Sequence, residues 1–120
     1  MSHENLKQRT KLFALRIIKL VESLPYDRIS DVLGKQLLRS GTSVGANYRA
    51  ACRGKSVADF ISKMGTVEEE SDESGYWMEL LVDSGKIKLT KVSALVQEAS
   101  ELTAIAVSSI NTARKSGSRQ

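Results

Sequence analysis

The chain has 120 residues, of which 27% are charged, 41% hydrophobic and 5% aromatic, and its 18 Lys and Arg against 14 Asp and Glu leave a net charge of +4. That length builds one core and excludes a second domain of ordinary size, and the composition excludes a disordered chain. A single cysteine, Cys52, excludes an intramolecular disulfide, and no apolar run approaches the roughly 20 residues that span a bilayer. The start Met1-Ser2-His3-Glu4-Asn5 lacks the apolar stretch of a signal peptide, so the cytoplasm is the expected compartment. So few aromatics leave the core to aliphatic and small side chains, with Cys52 expected among them as a small buried residue.

Leu6, Thr10, Phe13, Ile17, Leu20 and Leu24 recur at spacings of four and three, a heptad seam that predicts a first helix over about 5–24. Leu12, Leu15, Ile18 and Val21 widen its apolar face beyond what one seam requires. Pro25, the lone proline, ends it, because the residue before a proline resists the helical region. Ser30 or Asp31 is expected to cap a second helix over about 31–53, stopped by Gly54. Ser56 with Asp59 three residues later starts a third helix over about 57–83, and Thr90 is the expected cap of a fourth over about 90–113. The tail from Lys115 is expected to fray. Four helices joined by short connections predict an all-α fold, an antiparallel up-down-up-down four-helix bundle in a single domain, 1–120.

Two stretches depart from ordinary helix composition. In the second helix Gly41 and Gly45 sit one turn apart beside Val44, leaving a strip without side chains where another helix backbone can approach. Each glycine lowers helix stability by about 1 kcal/mol relative to alanine, so packing must offset that loss. In the third helix Glu68-Glu69-Glu70-Ser71-Asp72-Glu73-Ser74-Gly75 passes two turns without a large apolar residue.

The string Leu37-Leu38-Arg39-Ser40-Gly41-Thr42-Ser43-Val44-Gly45-Ala46-Asn47-Tyr48, followed by Asp59-Phe60-Ile61-Ser62-Lys63-Met64 and Tyr76-Trp77-Met78-Glu79-Leu80-Leu81, resembles the small four-helix bundle proteins of intervening sequences in bacterial 23S ribosomal RNA genes. The resemblance runs from about Leu15 to Ala106. It implies an all-helical bundle and a homo-pentameric ring, and it brings no catalytic residues. A related branch serves as accessory protein to the reverse transcriptase of diversity-generating retroelements, which implies nucleic acid, and a reverse transcriptase or other protein, as partners. The chain departs from the family pattern at Val67-Glu68-Glu69-Glu70-Ser71, where relatives carry aliphatic or alanine-rich residues, and packing of the third helix along that length is left open.

Antiparallel helices sort the charges by end. The end holding the N-terminus, the turn between helices two and three, and the C-terminus collects eleven Lys and Arg against Glu4 and Asp59, a net of about +9, and the other end has a net of about −5. Lys7, Arg9, Lys11, Arg49, Arg53, Lys55, Arg114 and Lys115 are thus the candidate nucleic-acid contacts, attractive to phosphate backbones. Phe13, Tyr48 and Phe60 are expected in the core, so backbone or duplex contact is favoured over stacking on unpaired bases. The alternative is a protein-interaction scaffold whose lysines and arginines are a solvated surface.

Enzyme chemistry finds no support. The carboxylates at 68–73, with Glu98 and Glu101, lack the histidines of a di-metal bundle, since His3 is the sole histidine, and neither a metal nor another cofactor is expected. The hydroxyls at Ser40, Thr42 and Ser43 have no nearby base, and the Gly41–Gly45 spacing lacks the lysine that a phosphate loop requires. The acidic run is expected either as a solvated face or in salt bridges, pairing Arg39 with about Glu69 or Glu70, and Lys35 with about Glu73. Thr42 and Asn47 bond either a neighbouring helix or their own preceding turn. Of Tyr76 and Trp77, one packs in the core and the other is free for a subunit contact; Gly41, Val44, Gly45 and Trp77 are the candidate packing or oligomer positions. The expected protein is a non-enzymatic homo-oligomer with a basic face toward RNA or DNA.

Overall fold

The computed structural model describes residues 2–118. They form α1 (His3–Glu22), α2 (Arg28–Cys52), α3 (Val57–Asp83) and α4 (Leu89–Ser118), with no strand among the described residues. The helices pack in sequence order, α1 on α2, α2 on α3 and α3 on α4, and α4 returns to α1 with a sparser contact. The resulting rod measures 53 × 22 × 19 Å.

The starts of α1, α2 and α3 are each fixed by a side chain that accepts an otherwise unpaired backbone N–H. Thr90 does not cap α4, because that helix already begins at Leu89 and Thr90 lies within its first turn. Ser2 accepts from Asn5, at 3.1 Å. Ser56 accepts from Asp59 at 3.0 Å, and the Asp59 carboxylate reaches back to the Lys55 N–H. The cap of α2 is Asp27, not Ser30 or Asp31: its carboxylate takes the Ser30 N–H at 2.8 Å and the Ser30 hydroxyl at 3.1 Å. Pro25 ends α1 early enough for α2 to begin at Arg28, and Ser30, donating to Asp27, is buried under the first turn. At the other junction α3 stops at Gly85, whose φ of 78° suits a residue without Cβ. Its N–H bonds the Val82 carbonyl while the Lys86 N–H bonds that of Leu81, a Schellman closure. Beyond Ala113 the chain stays helical to Ser118 instead of fraying at Lys115; the last two residues of the tail lie outside the described residues.

The seam foreseen in α1 is buried at Leu6, Thr10, Phe13, Ile17, Leu20 and Leu24. In α2 the same 4-3 alternation buries Ser30, Gly34, Leu37, Gly41, Val44, Tyr48 and Ala51. The missing side chains admit α1. A Cβ at Gly41 would meet both γ carbons of Ile17 at 2.8 Å, one at Gly45 would meet Thr10 at 3.2 Å, and one at Gly34 would meet Leu24 at 3.1 Å. As the α2 number rises through 34, 41 and 45, the α1 partner falls through 24, 17 and 10, which is the antiparallel register.

The acidic stretch of α3 packs as fully as its flanks. Met64, Val67, Ser71, Ser74, Met78 and Leu81 are all buried and continue the heptad through two serines. Ser74 shares a hydrogen bond with Ser40 of α2 at 2.9 Å, and Ser71 one with Thr103 of α4 at 2.8 Å. Both serines also donate or bond to carbonyls of their own preceding turn, and no buried side-chain N or O among the described residues lacks a partner. Small hydroxyls let the three helices close up where leucines would hold them apart. The carboxylates of the stretch flank this seam: Arg39 bonds Glu70 at 3.0 Å and also Glu73. Lys35 does not take Glu73, because it lines the opposite flank of α2 beside Val21 of α1 and Leu24 just after it.

Gly41→Ala should therefore lower stability by about 1–3 kcal/mol, since β-branched Ile17 cannot swing aside. Gly65→Ala, where nothing lies within 4 Å of the added carbon, should raise it by up to about 1 kcal/mol. Urea midpoints of the two variants should move in opposite directions, and a common direction would show that the close approach does not govern α1–α2 packing.

Candidate nucleic-acid interface

The local fold brings Lys7 and Lys11, one turn apart on α1, against Arg49 on α2. All three line one groove of about 490 Å³ whose base is the Thr10–Gly45 contact, with Ala14, Thr42 and Ala46 further along it. Glu4 is the sole carboxylate lining it. Thr42 and Asn47 bond their own preceding turns, to the carbonyls of Leu38 at 2.8 Å and Ser43 at 2.9 Å, so neither ties helices together. Arg53 is the last residue of the α2 turn and Lys55 follows in the connection, both exposed. Arg114 and Lys115 are exposed on the closing turns of α4, where Gly117 lies beside Val57 at the start of α3. These four thus continue the groove's positive charge across the end of the bundle.

Arg9 stands apart. Its guanidinium clasps Glu98 with two 2.7 Å hydrogen bonds and reaches Glu101 at 2.9 Å, closing the α1–α4 seam. Sorting charges by end placed those two carboxylates at the far end; α4 carries them back to the level of Arg9. The guanidinium's affinity for its proton is raised, chiefly by the Glu98 hydrogen bonds. The carboxyl of Glu101 is held below its ordinary range by the Gln97 amide and then by Arg9. Both carboxylates are thereby engaged, and among the described residues no three carboxylate, histidine or cysteine side chains are grouped to hold a metal ion.

The aromatic side chains here face inward. Phe13 and Tyr48 are buried and Phe60 is partly so, while the His3 ring stands edge-on to Tyr48 with centroids 6.3 Å apart. Burial, with the Cys52 thiol beside it, pushes the Tyr48 phenol above its ordinary range. Cys52 itself is only half-buried. On α3 Trp77 packs partly against the core and donates its indole N–H to Glu73 at 3.2 Å, while Tyr76 is 52% exposed.

Residues 4–108 match the family described as 23S rRNA-intervening sequence protein. The chain belongs to that family. A crystal structure of a protein of unknown function from the S23 ribosomal protein family of Bacteroides thetaiotaomicron VPI-5482 is similar to it, at 35% identity and a TM-score of 0.85. The alignment covers 92% of this chain and 99% of that one. No curated protein matches. Neither likeness names a reaction, and no helix here is long and apolar enough to cross a membrane among the described residues.

Within this 23S rRNA-intervening sequence fold the structure also gathers five cations in one groove, four from one end of the bundle and Arg16 from the set assigned to the other. Arg16 and Lys19 of α1 meet Lys86, Lys88 and Lys91 around a groove of about 590 Å³ floored by Leu20, Ile87, Ala94 and Leu95. The turn closed by Gly85 brings this lysine-rich segment beneath α1, an arrangement visible only once each helix is rotated about its own axis.

The pH dependence of the Arg9 clasp follows from the depressed carboxyl of Glu101. A carboxyl that binds its proton less tightly folded than unfolded adds stability above the unfolded value, near about 4, and loses it as pH falls through the folded one. Arg9→Ala should lower stability by about 1 kcal/mol at pH 7, and that gap should narrow toward pH 3. Urea midpoints at both pH values measure it; a gap that does not narrow would mean that Arg9 acts through its hydrocarbon stem.

Proposed function

We propose that this chain is a non-enzymatic, self-assembling bundle that holds the phosphate backbone of RNA or DNA against its α1–α2 face, in the cytoplasm. The observation that carries this reading is the convergence of Lys7, Lys11 and Arg49 from two helices on one groove with a single opposing carboxylate. Arg53, Lys55, Arg114 and Lys115 extend the field toward the helix ends, so that a polyanion longer than the groove meets cations along its length. Arg9 is left out, because two carboxylates already occupy it. Inward-facing aromatics leave no stacking platform at this face, which favours contact with sugar and phosphate over readout of unpaired bases.

Self-association is supported by apolar surface that one bundle does not use: Leu12 is 56% and Leu15 49% exposed along α1, and Leu89 and Val107 are exposed on α4. A pentameric ring is what the family resemblance implies, and such a ring would repeat the basic face five times. The same exposed stripe favours the second reading, a protein scaffold whose partner is another protein, such as a reverse transcriptase.

Fluorescence anisotropy with structured RNA and with duplex DNA across a salt series separates the two. Wild type should bind at micromolar concentration or tighter, with a log–log salt slope of about −3 or steeper for three or more neutralised phosphates. Arg49→Glu/Arg53→Glu/Lys55→Glu, unchanged in oligomer size, should abolish it. Absence of binding at low salt would remove the nucleic-acid reading and leave the scaffold.

A further inference from the structure

We infer that the groove floored by Leu20, Ile87 and Leu95 is the receptor for α3 of a second copy of this chain. The inference rests on the self-association in the proposed function and specifies the two surfaces that meet. Five cations, Arg16, Lys19, Lys86, Lys88 and Lys91, line the groove, and no carboxylate does. The sequence is of one sign there: no Asp or Glu occurs between Asp83 and Glu98. Lys86 is held by Asp27 at 3.4 Å; Arg16, Lys19, Lys88 and Lys91 enter no ion pair among the described residues.

The same molecule carries the complement. Glu69, Asp72, Tyr76, Glu79 and Asp83 follow one another at spacings of three and four along the outer ridge of α3, and all five are exposed. No Lys or Arg occurs between Lys63 and Lys86, and none of these four carboxylates enters an ion pair among the described residues. In the middle of the ridge stands Tyr76, with its ring edge-on to Trp77 at 5.2 Å. Docked in the groove of the next copy, Tyr76 lays its ring on the apolar floor while the carboxylates meet the rim lysines. Tyrosine within a ring of charge pairs is the composition of an interface anchor.

The groove lies on the α1–α4 side, and Asp72, Tyr76, Glu79 and Asp83 of the ridge lie on the adjoining α3–α4 side, where they line a second groove with α4. The two surfaces are different patches, so the contact is head-to-tail and each copy can make it twice. The side opposite the groove is the α2–α3 face. A ridge on the α3–α4 side is therefore not back to back with the groove, and successive copies turn about an axis. Neither surface includes Lys7, Lys11 or Arg49, so the basic α1–α2 groove stays open in the assembly.

Sedimentation velocity on the full chain tests this, with circular dichroism to check that each variant folds. Lys88→Glu/Lys91→Glu reverses the groove, and Glu79→Lys/Asp83→Lys reverses the ridge. Each pair alone should shift the assembly to monomer, and all four substitutions in one chain should restore it, an outcome that misfolding would not give. Wild-type assembly that survives both reversals would overturn the inference while leaving self-association in place. A monomeric wild type would overturn both. If the groove variant stays assembled and instead loses structured-RNA anisotropy, the groove is a nucleic-acid contact and the inference fails.

Discussion

The distance between α1 and α2 is set by atoms that are absent. Ile17 occupies the space a Cβ of residue 41 would fill, and Thr10 crowds that of residue 45. A chain with 5% aromatic residues cannot fill a wide core, so the helices must come close for their aliphatic seams to interlock. Glycine accomplishes this between α1 and α2, and serine and threonine do so among α2, α3 and α4. The basic groove follows from the same constraint: Lys7 and Lys11 reach the same space as Arg49 because the helices beneath them touch at Thr10 and Gly45.

Electrostatics follow the helix faces more than the helix ends. Behind a net charge of +4 stand two basic grooves, one of them without any carboxylate, an acidic ridge on α3 and a clasped Arg9. The rod is 19–22 Å across, more than the Debye length of about 8 Å in physiological salt, so charged faces on its different sides are largely screened from one another within one copy. In the proposed assembly the acidic and basic faces of neighbouring copies come within that range.

Much of this was legible from residue spacing. The α1 seam was read position by position, and the α2 strip around Gly41 and Gly45 announced a close contact because nothing else offsets two glycines in a helix. The α3 seam was not legible in the same way. Ser71 and Ser74 occupy heptad positions in register with Val67 and Met78, yet a hydroxyl does not register as core when apolar character is the criterion. The alternation from Met64 to Leu81 was the available signal. The Asp27 cap was missed because Asp27 lies within the expected connection, where a side chain gives no periodicity to follow. Arg9 and the second groove were missed for a geometric reason: assigning charges to ends fixes height along a helix and ignores rotation about its axis, and contact depends on both.

The hydroxyl pairs carry a consequence for alignment. Four helices with seven-residue seams can in principle slide past one another by one repeat, about 10 Å, and still lay apolar stripe on apolar stripe. Slid by seven positions, Ser40 would face Val67 or Leu81, and Thr103 would face Met64 or Met78. Each hydroxyl would lose its opposite number, and a bulky side chain would enter a space sized for two oxygens. Misaligned bundles are thus rejected at two helix interfaces, α2–α3 and α3–α4. A core with paired hydroxyls at these two interfaces has one stable vernier setting where an all-leucine core would have several.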